Sequence, residues 1–202
     1  MLPASFFERP TELVARELLG AVLECRTPQG LASGRIVETE AYLGEHDAAC
    51  HAAAGLTRRT RHLYGPPGMA YVYLIYGMHW CFNVVTRAVG EPSAVLVRAL
   101  EPLRGVELMW DRRPGARRFR DLANGPGKLC AALAIDGSHD GLSLRRTPLV
   151  IRAGDAVGDE DVVVTPRIGI VKAADWPLRY LLRDSEFVSR TPASFPRMRY
   201  MR

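Results

Sequence analysis

Lysine is nearly absent from this chain. Of its 27 lysine and arginine side chains only Lys128 and Lys172 are lysines, so few amines are available to form an imine with a carbonyl substrate. Cysteine is sparse as well. Cys25, Cys50, Cys81 and Cys130 lie far apart without a Cys-x-x-Cys pair, which argues against a disulfide scaffold and against a zinc-finger spacing. No stretch approaches the ~20 consecutive apolar residues that span a bilayer, and Glu8 and Arg9 interrupt the N-terminus before a signal-peptide core can form. The chain therefore reads as soluble and not exported. No repeat, low-complexity tract or linker divides the 202 residues, a length that suits one well-cored domain.

What is present is ordinary in bulk: 48% hydrophobic and 24% charged residues, with a net charge of +5. That excess permits a polyanionic partner without requiring one. Arginine forks onto phosphate and stacks beside bases, although the abundance of alanine and glycine fits a codon bias equally well.

Pro10, Leu13, Val14, Leu18 and Leu19 predict an opening helix that Gly20 stops. Residues 21–26 and 31–42 read as a hairpin around the turn 27–30. Residues 44–68 have no sustained period, carry His46, His51, His62, Arg58, Arg59 and Arg61, and end in Gly-Pro-Pro-Gly. A loop this long in a compact domain is usually functional or disordered. Two strand-like runs then meet at Tyr76, Gly77, Met78 and His79. A strand is expected at 94–99, helices at about 101–112 and 128–135, and strands at 148–152 and 161–165; 176–183 is ambiguous. Without regular βα alternation the order indicates an α+β fold.

Three groups of residues carry possible chemistry. Glu38 and Glu40 lie two apart on a strand and point to one face. A solvated strand face is the commoner reason for such a pair; the alternative is a site, favoured by Tyr42, Asp47 and His51 close by. In that case Glu40, at a strand end beside a long loop, is placed to activate water. Tyr71 and Tyr73 share a strand face, where most such pairs pack a core. Tyr76 and Met78, however, flank a glycine at a hairpin tip, and such tips suit insertion between stacked bases. Asn83 and Arg98 sit in apolar strands, where each needs a buried partner or a groove. A cation site built from Glu40, His46, Asp47 and His51 lacks any specific ligand spacing, and the Gly-Pro-Gly-Lys segment lacks the pattern of a phosphate loop.

RIVETEAYLG, DAACH, PPGMAYVYLIYGMHWCFNVV, LVRALEP and NGPGKLCAALAI, in this order and at compatible spacings, closely resemble the alkyladenine (3-methyladenine) DNA glycosylases over about 13–184. The resemblance implies a single α+β domain with a curved, mainly antiparallel sheet, flanking helices and a protruding β-hairpin that inserts into DNA. The whole of 1–202 is expected to form that domain, with 1–8 and 190–202 as loosely ordered ends. It further implies a monofunctional enzyme that flips a damaged purine from the duplex and hydrolyses its N-glycosidic bond. No metal or organic cofactor is implied, and no lyase step. Flipping is needed because the bond is inaccessible in the stack.

By motif position the resemblance makes Glu40 the general base and Arg98 its neighbour. Tyr42, His51 and Tyr73 would line the base pocket, with Asn83 a gate against the exocyclic amino group of guanine. Tyr76 would be the wedge, with Met78, His79, Arg58 and Arg59 beside it on the DNA surface. The expected partner is double-stranded DNA carrying 3-methyladenine, 7-methylguanine, ethenoadenine or hypoxanthine. The expected setting is a monomer with no membrane contact, in the bacterial cytoplasm at the nucleoid, and a minimal bacterial-type member because the chain begins almost at the domain. Arg58 departs from the proline common at its position, and His79, Trp80 and Cys50 stand at variable ones. The rival readings are a non-catalytic damage-recognition module and a metal-dependent phosphohydrolase.

Overall fold

A computed structural model describes residues 1–190; beyond Arg190, the expectation of a loose C-terminal end lies outside the described residues. The elements in chain order are α1 (Ala4–Phe7), α2 (Thr11–Glu17), β1 (Val22–Thr27), β2 (Gly30–Tyr42), β3 (Ala70–Ile75), β4 (His79–Thr86) and β5 (Ser93–Arg104). There follow α3 (Val106–Arg112), α4 (Pro126–Leu133), β6 (Arg145–Arg146), β7 (Leu149–Arg152), β8 (Val162–Thr165) and β9 (Arg179–Leu182). The fold is a single α+β domain whose antiparallel sheet curls into a half-barrel, in the order β3-β4-β5-β2-β1-β7-β6, with β9 on β2 and β8 on β9.

The long strand β2 holds this sheet together. One edge pairs with β5 from Ser33 to Tyr42, while the other pairs first with β1, over Gly30 to Arg35, and then with β9, over Glu38 to Glu40. Residues Ile36 to Ala41 are consequently all buried. The solvated strand face considered for Glu38 and Glu40 is therefore not what forms.

Strand alternation divides the side chains between two environments. Ala70, Val72, Phe82, Val84, Val95 and Val97 join the main core with Leu18 of the α2 end and Leu129 and Leu133 of α4. Their neighbours Tyr71, Val85 and Ala94 join a second cluster with Cys50, Ala52 and Leu63 from the 44–68 segment. Helices thus cover one face of this part of the sheet, and the irregular segment covers the other. Thr39 Oγ1 donates to the Ala15 carbonyl at 2.8 Å, fixing α2 to the centre of β2.

Two expectations are corrected and one open segment is assigned. Residues 101–104 continue β5 instead of starting a helix; Pro102 is tolerated because β4 pairs with β5 only over Ser93 to Leu96, so no ladder bond is lost. The helix starts after Gly105, whose φ of +68° lets the chain turn where an added Cβ would sit 2.3 Å from the Leu31 carbonyl oxygen. Residues 176–183 supply β9. The first eight residues, expected to be loose, include α1; Phe7 is fully buried and the Leu2 N–H donates to the Ile151 carbonyl at 3.2 Å. Among the described residues no helix is long and apolar enough to cross a membrane.

An added Cβ on Gly68 would meet the Phe7 ring at 2.8 Å, so that ring fills its space closely. Phe7→Ala is expected to lower unfolding free energy by about 3–5 kcal/mol, read from the shift of the urea midpoint at unchanged slope.

Candidate active site

One register row crosses the sheet. Tyr71 on β3 faces Asn83 on β4, Asn83 faces Leu96 on β5, Leu96 faces Glu40 on β2, and Glu40 faces Arg179 on β9. Directly opposed residues point to one side, so Tyr71, Asn83 and Leu96 of this row, together with Tyr42, Tyr73 and Cys81 two positions along their strands, build a wall. Against that wall, under the 44–68 segment, lies a cleft of about 360 Å³ lined among others by Tyr42, His51, Tyr73, Asn83, Arg98 and Ile168. Its size lies within the range of small-molecule sites.

Glu38 and Glu40 reach the same side as their spacing predicts, but strict alternation does not hold along the strand. Val37 is an extra residue on β2, and Arg98 is an extra residue on β5, since Glu38 pairs with Ala99 while Thr39 pairs with Val97. Bulges re-aim side chains; here Arg98 comes to lie between the two carboxylates.

Both carboxylates are fully buried. Glu38 Oε1 accepts from Arg98 Nε at 2.9 Å, Arg179 Nε at 2.7 Å and Ser189 Oγ at 2.7 Å, and its Oε2 accepts from Ser189 N at 2.6 Å. Burial raises its pKa, but Arg98, Arg179 and the Ser189 hydrogen bonds together take it below its ordinary value. Glu40 Oε1 accepts from the Ile168 N–H at 2.7 Å, and Oε2 from the Tyr42 hydroxyl at 2.9 Å and Arg98 Nη1 at 3.2 Å. Glu40 itself is not part of the cleft wall. It lies directly behind it, held by three residues that are.

The cleft's aromatic side is a touching group. His51 and Tyr73 have ring centroids 4.4 Å apart, Tyr71 and Tyr73 5.4 Å, and His51 Nδ1 lies 2.9 Å from the Tyr71 hydroxyl. Burial, then the Arg59 charge, lowers the His51 pKa, so the imidazole is neutral near pH 7. Burial pushes the Tyr71 hydroxyl up to about 12 and raises those of Tyr42 and Tyr73 as well, so these groups remain donors. Asn83 Nδ2 donates to the Tyr71 carbonyl at 3.1 Å, which fixes the amide in the wall.

At the β3–β4 tip Tyr76 and Gly77 have φ of +54° and +68°, and Met78 N donates to the Ile75 carbonyl at 3.1 Å. This is a type I′ turn, which matches the twist of the paired strands. A tyrosine in the left-handed region is strained, and its ring is 82% exposed, with Met78 71% exposed beside it. Tyr76 also lines the cleft. His79, Arg58 and Arg59 are exposed, and the Arg59 guanidinium lies 5.5 Å from the Tyr73 ring centre.

The sequence reading missed Arg167, Ile168, Arg179 and Ser189. Arg167 is fully buried; its guanidinium sits 4.6 Å from the Tyr42 ring centre, pairs with both oxygens of Asp47 and donates to the Ala41 carbonyl at 3.0 Å. Asp47 in turn accepts from the Leu43 and Ala49 N–H groups, so the pair pins the start of the 44–68 segment behind Tyr42. Arg179 carried the signal that singled out Arg98, an arginine in an apolar run. Arg167 and Ser189 carried none. The cation site considered for Glu40, His46, Asp47 and His51 is not assembled: Asp47 is engaged by Arg167 and Glu40 by Arg98, and no cluster of three metal-ligating side chains occurs among the described residues.

Asp47→Asn leaves a guanidinium buried without its counter-charge and is expected to cost about 3–5 kcal/mol. The Arg167 hydrogen bonds and two backbone N–H groups outweigh burial and lower the Asp47 pKa, as Arg98 and Arg179 lower that of Glu38. Both carboxylates therefore stabilise the fold above their ordinary values of 3.8 and 4.5, and this is lost as pH falls through the depressed folded values. Urea titrations between about pH 5 and pH 2 should show wild-type stability dropping more steeply than that of Asp47→Asn.

The family model described as Methylpurine-DNA glycosylase matches residues 5–186. A protein of Myxococcus xanthus, named "Putative 3-methyladenine DNA glycosylase", is 51% identical over 194 residues, covering 95% of this chain and 94% of its own. A relative of the same name from Methanocella arvoryzae is 47% identical over 194 residues, covering 94% and 96%. The match spans the β2 carboxylates, the β3–β4 hairpin, Arg98 and the loop that carries Ile168, so every residue lining the cleft lies within it. This chain belongs to the methylpurine-DNA glycosylase family and is a DNA glycosylase, a hydrolase of N-glycosyl bonds in DNA base-excision repair.

Proposed function

We propose that the cleft receives a damaged purine rotated out of duplex DNA and that Glu40 directs a water onto C1′ of its deoxyribose. One observation carries this reading. The Glu40 carboxylate lies immediately behind a slot of ring systems and is only partly saturated: a carboxylate offers about four acceptor sites, and three are taken by Ile168, Tyr42 and Arg98. The fourth holds the attacking water.

The flipped base stacks between Tyr42 and the His51–Tyr73 pair. A purine alkylated at N3 or N7 is cationic, and an aromatic face attracts a cation by about 0.5–2 kcal/mol. Neutral His51 adds no opposing charge, and Asp47 balances Arg167 behind Tyr42. The positive charge also makes the base a good leaving group, so oriented water and stabilisation of the sugar cation suffice. Hypoxanthine and ethenoadenine are neutral and need protonation in addition. Asn83, fixed through Tyr71, excludes the amino group of guanine.

Tyr76 fills the space that the extruded nucleotide leaves, with Met78 beside it, while Arg58, Arg59 and His79 contact the DNA. The enzyme acts as a monomer on double-stranded DNA. Hydrolysis is direct, without a lyase step: Lys128 Nζ donates to Asn124 Oδ1 at 2.7 Å, and neither lysine lines the cleft.

Duplexes carrying single 3-methyladenine, 7-methylguanine, ethenoadenine or hypoxanthine residues test the reading by release of free base. Protein that binds them yet releases nothing would be a damage-recognition module instead. Glu40→Gln should retain lesion binding and lose about 10²–10⁴-fold in rate; full activity would remove Glu40 from its role. Borohydride during turnover should trap no covalent protein–DNA adduct. Tyr76→Ala should weaken lesion binding by about 1–3 kcal/mol, the worth of a base-stacking side chain, and more than Arg58→Ala does.

A further inference from the structure

The geometry points to Glu38 as a positioning residue: by engaging the Nε/Nη2 edge of Arg98 it restricts that guanidinium to a single contact with Glu40, and so keeps the Glu40 carboxylate open to water. This rests on the reading of Glu40 given above. Glu38 neither lines the cleft nor touches any reacting atom.

Arginine binds a carboxylate most strongly when two N–H groups on one edge of its fork bond in parallel. In Arg98 one such edge is already occupied. Nε lies 2.9 Å from Glu38 Oε1, and Nη2 lies 3.3 Å from Ser189 Oγ, which itself donates to Glu38 at 2.7 Å. With that edge tethered, Nη1 alone is bonded to Glu40, at the longer distance of 3.2 Å. Arg179 makes the arrangement durable. Its Nε, 2.7 Å from Glu38, gives that carboxylate a second counter-charge, so Glu38 stays ionised although it is fully buried.

The groups facing Glu40 show what a loss of Glu38 would change. Besides Arg98 from β5 there are Tyr42 on its own strand, Tyr73 from β3, Cys81 from β4, Arg167 and the Ile168 N–H from the loop after β8, and Arg179 from β9. Tyr42, Tyr73 and Cys81 are neutral near pH 7, and Arg167 is matched by Asp47. With Glu38 neutral, Arg98 is free to turn its two-pronged edge onto Glu40, occupying the acceptor site that the water needs.

The test compares wild type, Glu38→Gln and the double variant Glu38→Gln/Arg179→Met, which also removes the cation that the single change leaves buried. Each is assayed in single turnover across pH on whichever lesion duplex wild type cleaves fastest, with lesion affinity and urea stability measured in parallel. Both variants should bind the lesion within about twofold of wild type and react about ten- to a hundredfold more slowly. The loss should sit in the single-turnover rate and not in lesion affinity. If the single variant does not fold, the double variant decides. A folded double variant that reacts at the wild-type rate, or one whose loss lies in affinity alone, overturns the role of Glu38. Wild type that releases no base from any duplex overturns the Glu40 reading itself, a different failure.

Discussion

Four charged side chains held out of water, two of them on the most enclosed strand of the sheet, set the terms for the whole site. Glu38 and Glu40 each stand on β2 where strands pair on both edges, and ionised carboxylates survive there only with counter-charges and donors close by. Arg98 and Arg179 supply the charges; Ser189, Tyr42 and the Ile168 N–H complete the hydrogen bonds. Each partner comes from a different part of the chain, so the network draws β5, β9, the loop after β8 and the segment at Ser189 onto one point. The fold is closed around a charge cluster that an apolar core would not need.

The remainder of the sheet separates two tasks that would interfere if mixed. One side of β3, β4 and β5 buries apolar residues against α2 and α4 and gives rigidity. The other presents Tyr71, Tyr73, Asn83 and Leu96 to the cleft, roofed by a segment too irregular to form a sheet face of its own. Period-two alternation accomplishes this division within single strands.

One strained residue stands at the rim. Tyr76 adopts a left-handed conformation that disfavours a branched or bulky residue, and it holds an exposed ring beside the cleft. The I′ turn that forces this conformation also keeps the two strands paired to the tip. A strained, exposed aromatic is thereby carried stiffly on a paired hairpin.

Much of this was legible in the sequence because it depends on local periods and local stereochemistry. Alternation in 69–86 located the hairpin, its tip and the shared face of Tyr71 and Tyr73, and the pair spacing put Glu38 and Glu40 on one side of a strand. Arg98 and Asn83 stood out as polar residues in apolar runs. The linear chain alone was silent on three matters: that β2 is paired on both edges, that bulges at Val37 and Arg98 aim a guanidinium between the carboxylates, and that Arg167, Arg179 and Ser189 arrive there from more than 120 residues away. Each of these is a consequence of strand pairing at long sequence separation. A residue's own neighbours determine which way it points, but only the closed sheet decides what it meets.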